Sequence, residues 1–396
     1  MAIVKQIFNI VNDSVKDALG NTDGLTQVDS SDIVSLGKAI SAYDAYEQFY
    51  KSLTNRIVKT IYFVRTYKGS PRSVLRDEHD YGAFIQKVYY EMPKATANPT
   101  YAIGKDAGYK QQSPYDVEAV INVSSLIYGA QGTWTIEIIR PEEQIKTAFL
   151  NESNMMSFID GIYMQVQNTF ALEEERLVAL AVNTAMANAI NGKKARNLLA
   201  EYNTLNPSET LTVASCLQDM NFLKYATKEI NRTISNMAMM STVYNVDGYP
   251  TFTTRDKLVI EMLTEFDSAA KTYLQADTFH KELVSLPNFE SVPYWQSSGK
   301  HFLFEDCSKI SLKGDNLITT ENSTGEVVQG GIICFLHDIE NVAAYFGNKK
   351  TWELYNPRSE VYIHGEKARK GFAVDSHANS YVFYIAEAEF PYGNRI

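Results

Sequence analysis

Ile57-Val58-Lys59-Thr60-Ile61-Tyr62-Phe63-Val64 opens the stretch that decides how this chain reads, residues 53–150. Its β-branched and aromatic residues predict a strand. Gly69-Ser70-Pro71 then signals a turn, and a charged segment follows with Arg72, Arg76, Asp77, Glu78 and Asp80. Apolar residues return at Tyr81-Gly82-Ala83-Phe84-Ile85 and continue through Val88-Tyr89-Tyr90. Residues 91–116 are polar and broken by Pro93, Pro99 and Pro114, so they read as a mobile tip. Strands are expected again from Val117 to Val123 and from Thr133 to Ile138. The stretch alternates like a sheet yet carries more charge and glycine than a sheet core tolerates. A two-stranded arm of this kind has nothing of its own to bury against, and neighbouring copies are expected to cover it.

The arm runs directly into the longest helical pattern of the chain. Pro141-Glu142-Glu143 predicts a helix start, with proline and acids in the first turn. Apolar residues then recur at helical spacing: Met155, Ile159, Ile162, Val166, Phe170, Leu177, Leu180, Met186 and Ile190. At 1.5 Å per residue this is a rod of roughly 50 Å. Gly192 is expected to end it, with Lys193, Lys194 and Arg196 complementing its negative end. Glu173, Glu174 and Glu175, followed by Arg176, sit midway. Three adjacent carboxylates invite a metal or acid–base reading, but consecutive positions point in different directions around a helix. A solvated or subunit-facing surface is expected there.

Outward from this core, Ile3, Ile7, Ile10, Val11 and Ala18 fall near one helical face that Gly20 closes. Asp29-Ser30-Ser31-Asp32 lacks the alternating carboxylates and closing Glu of a calcium loop. It reads as a turn capping a helix over 32–54, with Ser31 or Asp32 as N-cap. Beyond residue 195 the texture is mixed. Helices are expected over 212–225, 228–237, 266–275 and 277–285, and a sharp turn at Asp247–Pro250. Strands are expected over 239–244, 289–295, 301–312, 326–336, 359–364 and 380–388, with a strand or helix start at 257–263. The fold class is therefore α+β.

The 396 residues suffice for two or three compact units. A net charge of -10 argues against a surface that grips phosphate backbones. It fits a container that holds nucleic acid without sticking to it, and equally a charge that keeps an abundant protein soluble. The 25 tyrosines suit wide contact surfaces or well-capped cores. Cys216, Cys307 and Cys334 are too few and too scattered for a disulfide framework or a zinc site, and read as reduced, packed thiols. Polar residues from Lys5 to Asp13 break any signal peptide, and no apolar run has the length of a membrane span. Folding in the cell that makes the protein, away from membranes, is expected.

Signals for chemistry are weak. None of the six histidines pairs with another at metal-ligand spacing. His337-Asp338 beside Cys334 is the nearest approach to a nucleophile cluster, but Cys334 lies in the apolar run Ile332–Leu336 and reads as a core thiol. Gly104-Lys105-Asp106-Ala107-Gly108 lacks the spacing and the Ser or Thr of a phosphate loop. Neither a nucleophile elbow nor a dinucleotide fingerprint occurs. Nothing here calls for an enzyme, a metal or a cofactor.

The order of elements is informative: helical N-terminal arm, charged β-arm, long helix, then a mixed α/β region. It resembles the major capsid proteins of tailed bacteriophages, most of all those of small short-tailed phages of Gram-positive bacteria. Leu53-Thr54-Asn55-Arg56-Ile57 before the arm, Tyr81–Tyr89 within it and Ile145-Lys146-Thr147-Ala148-Phe149 before the helix carry the resemblance. The stretch from Asn236 to Asp247, followed by Thr253-Thr254-Arg255, carries it further. It spans nearly the whole chain. It implies a Hong Kong 97-like capsid fold: N-terminal arm and helices at 1–54, extended β-loop at 55–140, and the spine helix of the peripheral domain at 141–195. Residues 196–396 would form the axial domain with returning peripheral strands. The implied function is self-assembly, as pentamers and hexamers, into an icosahedral head around double-stranded DNA that is enclosed without sequence-specific binding. The implied partners are a scaffolding protein, a portal, and head-fibre or decoration proteins, with assembly in the host cytoplasm and residence in the virion. The chain is expected to end too soon for an appended immunoglobulin-like module.

On that reading Arg65, Lys68, Arg72 and Arg76 meet a neighbour's Glu173, Glu174 and Glu175, with Asp77 and Glu78 as further contacts between subunits. The alternative is that these are solvated charges guarding an exposed β-edge. A ring-forming tail or baseplate component and a cytoplasmic enzyme without a recognisable motif are the rival functions.

Overall fold

A computed structural model of the chain describes residues 13–14, 52, 75–79, 84–90, 123–129, 132–141, 152–273, 289–296, 303–313 and 326–387. The expected strand at 57–64, the tip at 91–116 and the helix at 277–285 lie outside these residues. So do the two N-terminal helices, apart from Asp13, Ser14 and Ser52, which are helical.

In chain order the strands are β1 (Leu75–His79), β2 (Phe84–Tyr90), β3 (Val123–Gly129), β4 (Gly132–Pro141), β5 (Ala195–Asn197), β6 (Leu258–Leu263) and β7 (Phe289–Val292). They continue as β8 (Ile310–Lys313), β9 (Glu326–Gln329), β10 (Ile332–Asp338), β11 (Val342–Asn356), β12 (Val361–Val374) and β13 (Ser380–Tyr384). The helices are α1 (Glu152–Asn191), α2 (Leu198–Leu205), α3 (Val213–Cys216), α4 (Met220–Met237), α5 (Thr264–Tyr273) and α6 (Phe304–Cys307).

The centre is a five-stranded sheet of order β5-β13-β10-β6-β7, buried on both faces. Strand alternation splits its side chains between two cores. On β13, Val382 and Tyr384 pack toward α1, while Tyr381 and Phe383 pack toward α2, α4 and α5. On β10 the register shifts between Ile332 and Cys334, so Ile333 and Cys334 both reach the second core. Phe335 returns to the α1 side, where its ring stacks on His337 at 4.8 Å. Cys334 and His337 therefore face opposite sides of the sheet. Cys334 is a fully buried core thiol, as its apolar run suggests, and burial raises its pKa far above the usual thiol range.

Helix α1 is 40 residues long, about 60 Å at 1.5 Å per residue. Every residue from Ala181 to Asn191 is buried, because this half is enclosed between the five-stranded sheet and a second sheet. It ends at Asn191, immediately before Gly192 as expected, but not through a glycine in the left-handed position. The left-handed position is filled by Lys193, at φ 59, and the Lys193 and Lys194 amides close back on the carbonyls of Ile190 and Ala189. Gly192 has a different reason for being small: a Cβ there would lie 2.8 Å from the Val246 side chain. Arg196 turns away from the helix end to pair with Glu201 and Glu229.

The second sheet has the order β1-β11-β12-β4. Its long hairpin of β11 and β12 is the largest departure from the sequence reading, which leaves 342–356 unassigned. Gly347-Asn348-Lys349-Lys350 looks like a turn, but the ladder absorbs it as a register shift between Gly347 and Lys350. Gly365 on β12 is where Trp352 of β11 lies flat across the sheet; a Cβ at Gly365 would sit 2.1 Å from the indole.

Three further corrections concern local structure. Pro141 closes β4 opposite Val361 and does not open a helix, its fixed φ being compatible with a strand end. The expected helices at 212–225 and 228–237 rearrange into the single turn α3 and one continuous α4, capped by the Asp219 carboxylate on the Phe222 amide. The expected strand at 239–244 reduces to one bridge between Ser241 and Thr251. The turn at Asp247–Pro250 forms, with Gly248 at φ 66.

The arm also has partners in its own chain. β1, drawn from the charged segment, lies parallel along β11 from Leu75↔Ala343 to His79↔Gly347. A ladder bonds through the backbone, so a charged sequence can pair at a sheet edge without an apolar face of its own. Among the described residues no helix is long and apolar enough to cross a membrane.

Burial raises the Cys216 thiol and the Tyr381 phenol each to about 12. Both are held neutral in the core, so the native state binds their protons more tightly than the unfolded chain. Their contribution is complete below the unfolded pKa values, about 8.5 and 10, and is lost as pH rises toward 12. The urea midpoint followed by circular dichroism should therefore fall steadily between pH 9 and pH 12 (about). A flat midpoint over that window would contradict the burial of these groups.

Candidate assembly interface

Strands β2 and β3 form a separate antiparallel hairpin, from Phe84↔Gly129 to Tyr90↔Val123. Alternation along β2 gives its two faces different work. Val88 and Tyr90 are exposed, whereas Lys87 and Tyr89 face the body of the protein. Lys87 Nζ lies 2.8 Å from Asp375 Oδ2 and donates to the Glu340 carbonyl at 2.9 Å. The Tyr89 hydroxyl donates to the same Asp375 oxygen, and its ring stacks on His377 at 4.5 Å. Tyr249 completes the contact, its ring edge-on to Tyr89 at 5.5 Å and its hydroxyl donating to the Tyr90 carbonyl.

The receiving side is pinned by its own turns. Asp375 begins the connection from β12 to β13; its amide donates to the Asn341 carbonyl, its carbonyl accepts from the Asn341 side-chain amide, and its carboxylate accepts from the His377 amide at 3.0 Å. His377 Nδ1 lies 3.1 Å from Asp247 Oδ2. Asn245 holds the neighbouring turn by accepting from the Tyr249 amide at 2.7 Å. The Asp375 side chain is only 4% exposed, and the Lys87 charge beside it offsets the cost of that burial. The cluster sets the angle at which the hairpin leaves the body.

Replacing Tyr89 by Ala together with Lys87 by Met should free the hairpin without unfolding the sheets. Loss of one charge-assisted contact is worth roughly 1.5–3 kcal/mol, so amide exchange in β2 and β3 should accelerate about tenfold or more, while β10 and β13 keep their protection. Unchanged exchange in β2 would show that these contacts do not hold it.

The residues singled out from sequence are distributed as follows. Arg65, Lys68 and Arg72 lie outside the described residues. Arg76, Asp77 and Glu78 lie on β1 at register positions opposite Ala344, Tyr345 and Phe346. On α1 the three acids diverge. Glu173 is half-buried and pairs with Arg176 at 2.5 Å, Glu174 turns inward at 7% exposure, and Glu175 is exposed. The expected divergence around the helix is observed, but a solvated face accounts for Glu175 and not for Glu174. Sequence reasoning passed over Lys87, Asp375, His377 and Tyr249. Their only local signals are the Tyr89-Tyr90 pair and the turn-rich run from Asp375 to Asn379.

Residues 11–384 match the model of the family described as Phi29-like phage major capsid protein. Among solved structures the chain is similar to the capsid of Staphylococcus phage Andhra, with 11% identity and a TM-score of 0.50, covering 79% of this chain and 83% of that one. It also matches a chain in a structure of the head fibre and inner core protein of bacteriophage P68, with 13% identity, a TM-score of 0.49 and the same coverage. No curated protein sequence matches.

Proposed function

The chain belongs to the Phi29-like phage major capsid protein family, and from that premise we propose that its copies assemble as pentamers and hexamers into an icosahedral head enclosing double-stranded DNA. As a phage major capsid protein it is a component of the virion. The family match over residues 11–384 carries the reading, and the capsid-like fold supports it. In a Hong Kong 97-like arrangement α1 is the spine of the peripheral domain, and the layer of the five-stranded sheet with α2, α4 and α5 belongs to the axial domain. The extended loop overlaps an adjacent subunit only beyond its root, since β1, β4 and the Lys87–Asp375 contact tie the root to its own chain.

Scaffolding protein, portal and head-fibre or decoration proteins are the proposed partners, and the host cytoplasm is the proposed place of assembly. The negative charge of -10 supports a shell that contains DNA without gripping it by sequence. Many weak contacts suffice, because a closed lattice multiplies them. Size-exclusion chromatography with light scattering, at rising concentration and with the scaffolding protein present, tests this. Particles of many subunits are expected; one small oligomer at every concentration would refute it.

A further inference from the structure

The outward face of the four-stranded sheet ends in three cross-strand rows. Lys350, Lys367 and Thr135 form one, Trp352, Gly365 and Glu137 the next, and Leu354, Ile363 and Ile139 the third. Lys350 and Lys367 are both exposed and stand directly opposite each other, an arrangement that costs free energy within the sheet. Leu354 and Ile139 are 55% and 52% exposed, and Trp352 lies flat over Gly365 at 38%. One patch thus offers two adjacent positive charges, one carboxylate and an apolar shelf.

Helix α1 carries the complement. Among the described residues, exposed Leu172, Glu175, Arg176 and Leu180 line one stripe beside Glu173, with Asn168 exposed a turn earlier and both leucines more than 40% exposed. From Leu172 to Leu180 the stripe is about 12 Å long, and the three rows span about 13 Å along the strands. The stripe cannot reach the patch in its own chain, because α1 packs against the inward face of the same sheet through Trp134, Ile138, Tyr362 and Ala368.

We propose that the outward face of the four-stranded sheet receives the exposed α1 stripe of a second copy. Leu180 seats on Leu354, Ile363 and Ile139, Arg176 lies beside Glu137, and Glu175 answers Lys350 and Lys367. The two surfaces differ and lie on opposite sides of one sheet, so the contact is head-to-tail and propagates from subunit to subunit. The inference rests on the shell-subunit reading and names one of its contacts.

Charge exchange tests it in the full-length chain, under conditions where the wild type forms particles. Lys350→Glu with Lys367→Glu should cut particle yield about tenfold or more, with circular dichroism of the subunit unchanged. Adding Glu175→Lys should restore most of the yield. Wild-type yield in the double variant, or no rescue in the triple, overturns the contact while leaving the shell reading intact; a wild type that forms no particles overturns that reading first and this contact with it. Should the charge variants misfold, Leu180→Cys with Leu354→Cys gives a second measurement. A disulfide between subunits is expected in oxidised particles, and its absence overturns the proposal.

Discussion

Replacing Arg196 by Met is expected to destabilise the subunit by about 3–5 kcal/mol, because it strands a buried carboxylate. Arg196 stands on β5, and its guanidinium grips Glu201 through Nε at 2.7 and 2.8 Å while donating to Glu229 at 2.8 Å. Glu229 lies on α4 with a side chain 4% exposed. Burial works against the Arg196 charge, yet the hydrogen bonds and charges of Glu201 and Glu229 outweigh it and hold the guanidinium pKa above its ordinary value. Once Arg196 is gone, Arg232 remains near Glu229, at 3.5 Å and largely exposed. The cost should appear as a lower urea midpoint at pH 7. Adding Glu229→Met should recover part of it, since an apolar pair replaces a buried ion pair more cheaply than a single orphan does. A single variant within about 1 kcal/mol of the wild type would show that the network is dispensable.

Trp295→Ala should cost a comparable 3–5 kcal/mol (about), through lost packing and a broken junction. The indole is 1% exposed and its Nε1 donates to the Ile332 carbonyl at 2.9 Å. The Trp295 amide donates to Cys307, and its carbonyl accepts from the Asn183 side chain on α1 at 3.0 Å. One residue thereby joins α1, β10 and α6. Truncation opens a cavity at that meeting point and orphans the Ile332 carbonyl. Trp295→Phe separates the two losses: it keeps most of the volume and should cost only the hydrogen bond, about 1–3 kcal/mol. Equal losses in both variants would mean that packing contributes little.

Where the sequence could be read, the reason was periodicity with long reach. The spacing from Met155 to Ile190 falls within α1, and the apolar run Ile332–Leu336 lies within β10. The reading failed where partners distant in sequence override local cues. β1 is charged and forms only because β11 lies beside it, and β11 in turn hides behind a turn-like Gly347–Lys350. Pro141 looked like a helix start because Glu142 and Glu143 follow, yet β12 pairs with it. The hairpin contact was illegible for the same reason, since Lys87 and Asp375 are separated by 288 residues. At Cys334 the apolar run outweighed the proximity of His337 and read correctly as a core thiol, and strand alternation sends the two residues to opposite faces.

The central claim is that this chain closes into a shell with copies of itself, and an electron micrograph of the purified assembly tests it most directly. Closed, hollow particles built from five- and six-membered clusters are the predicted image. Flat rings, open tubes or single subunits, from protein that retains its helical circular dichroism, would contradict it.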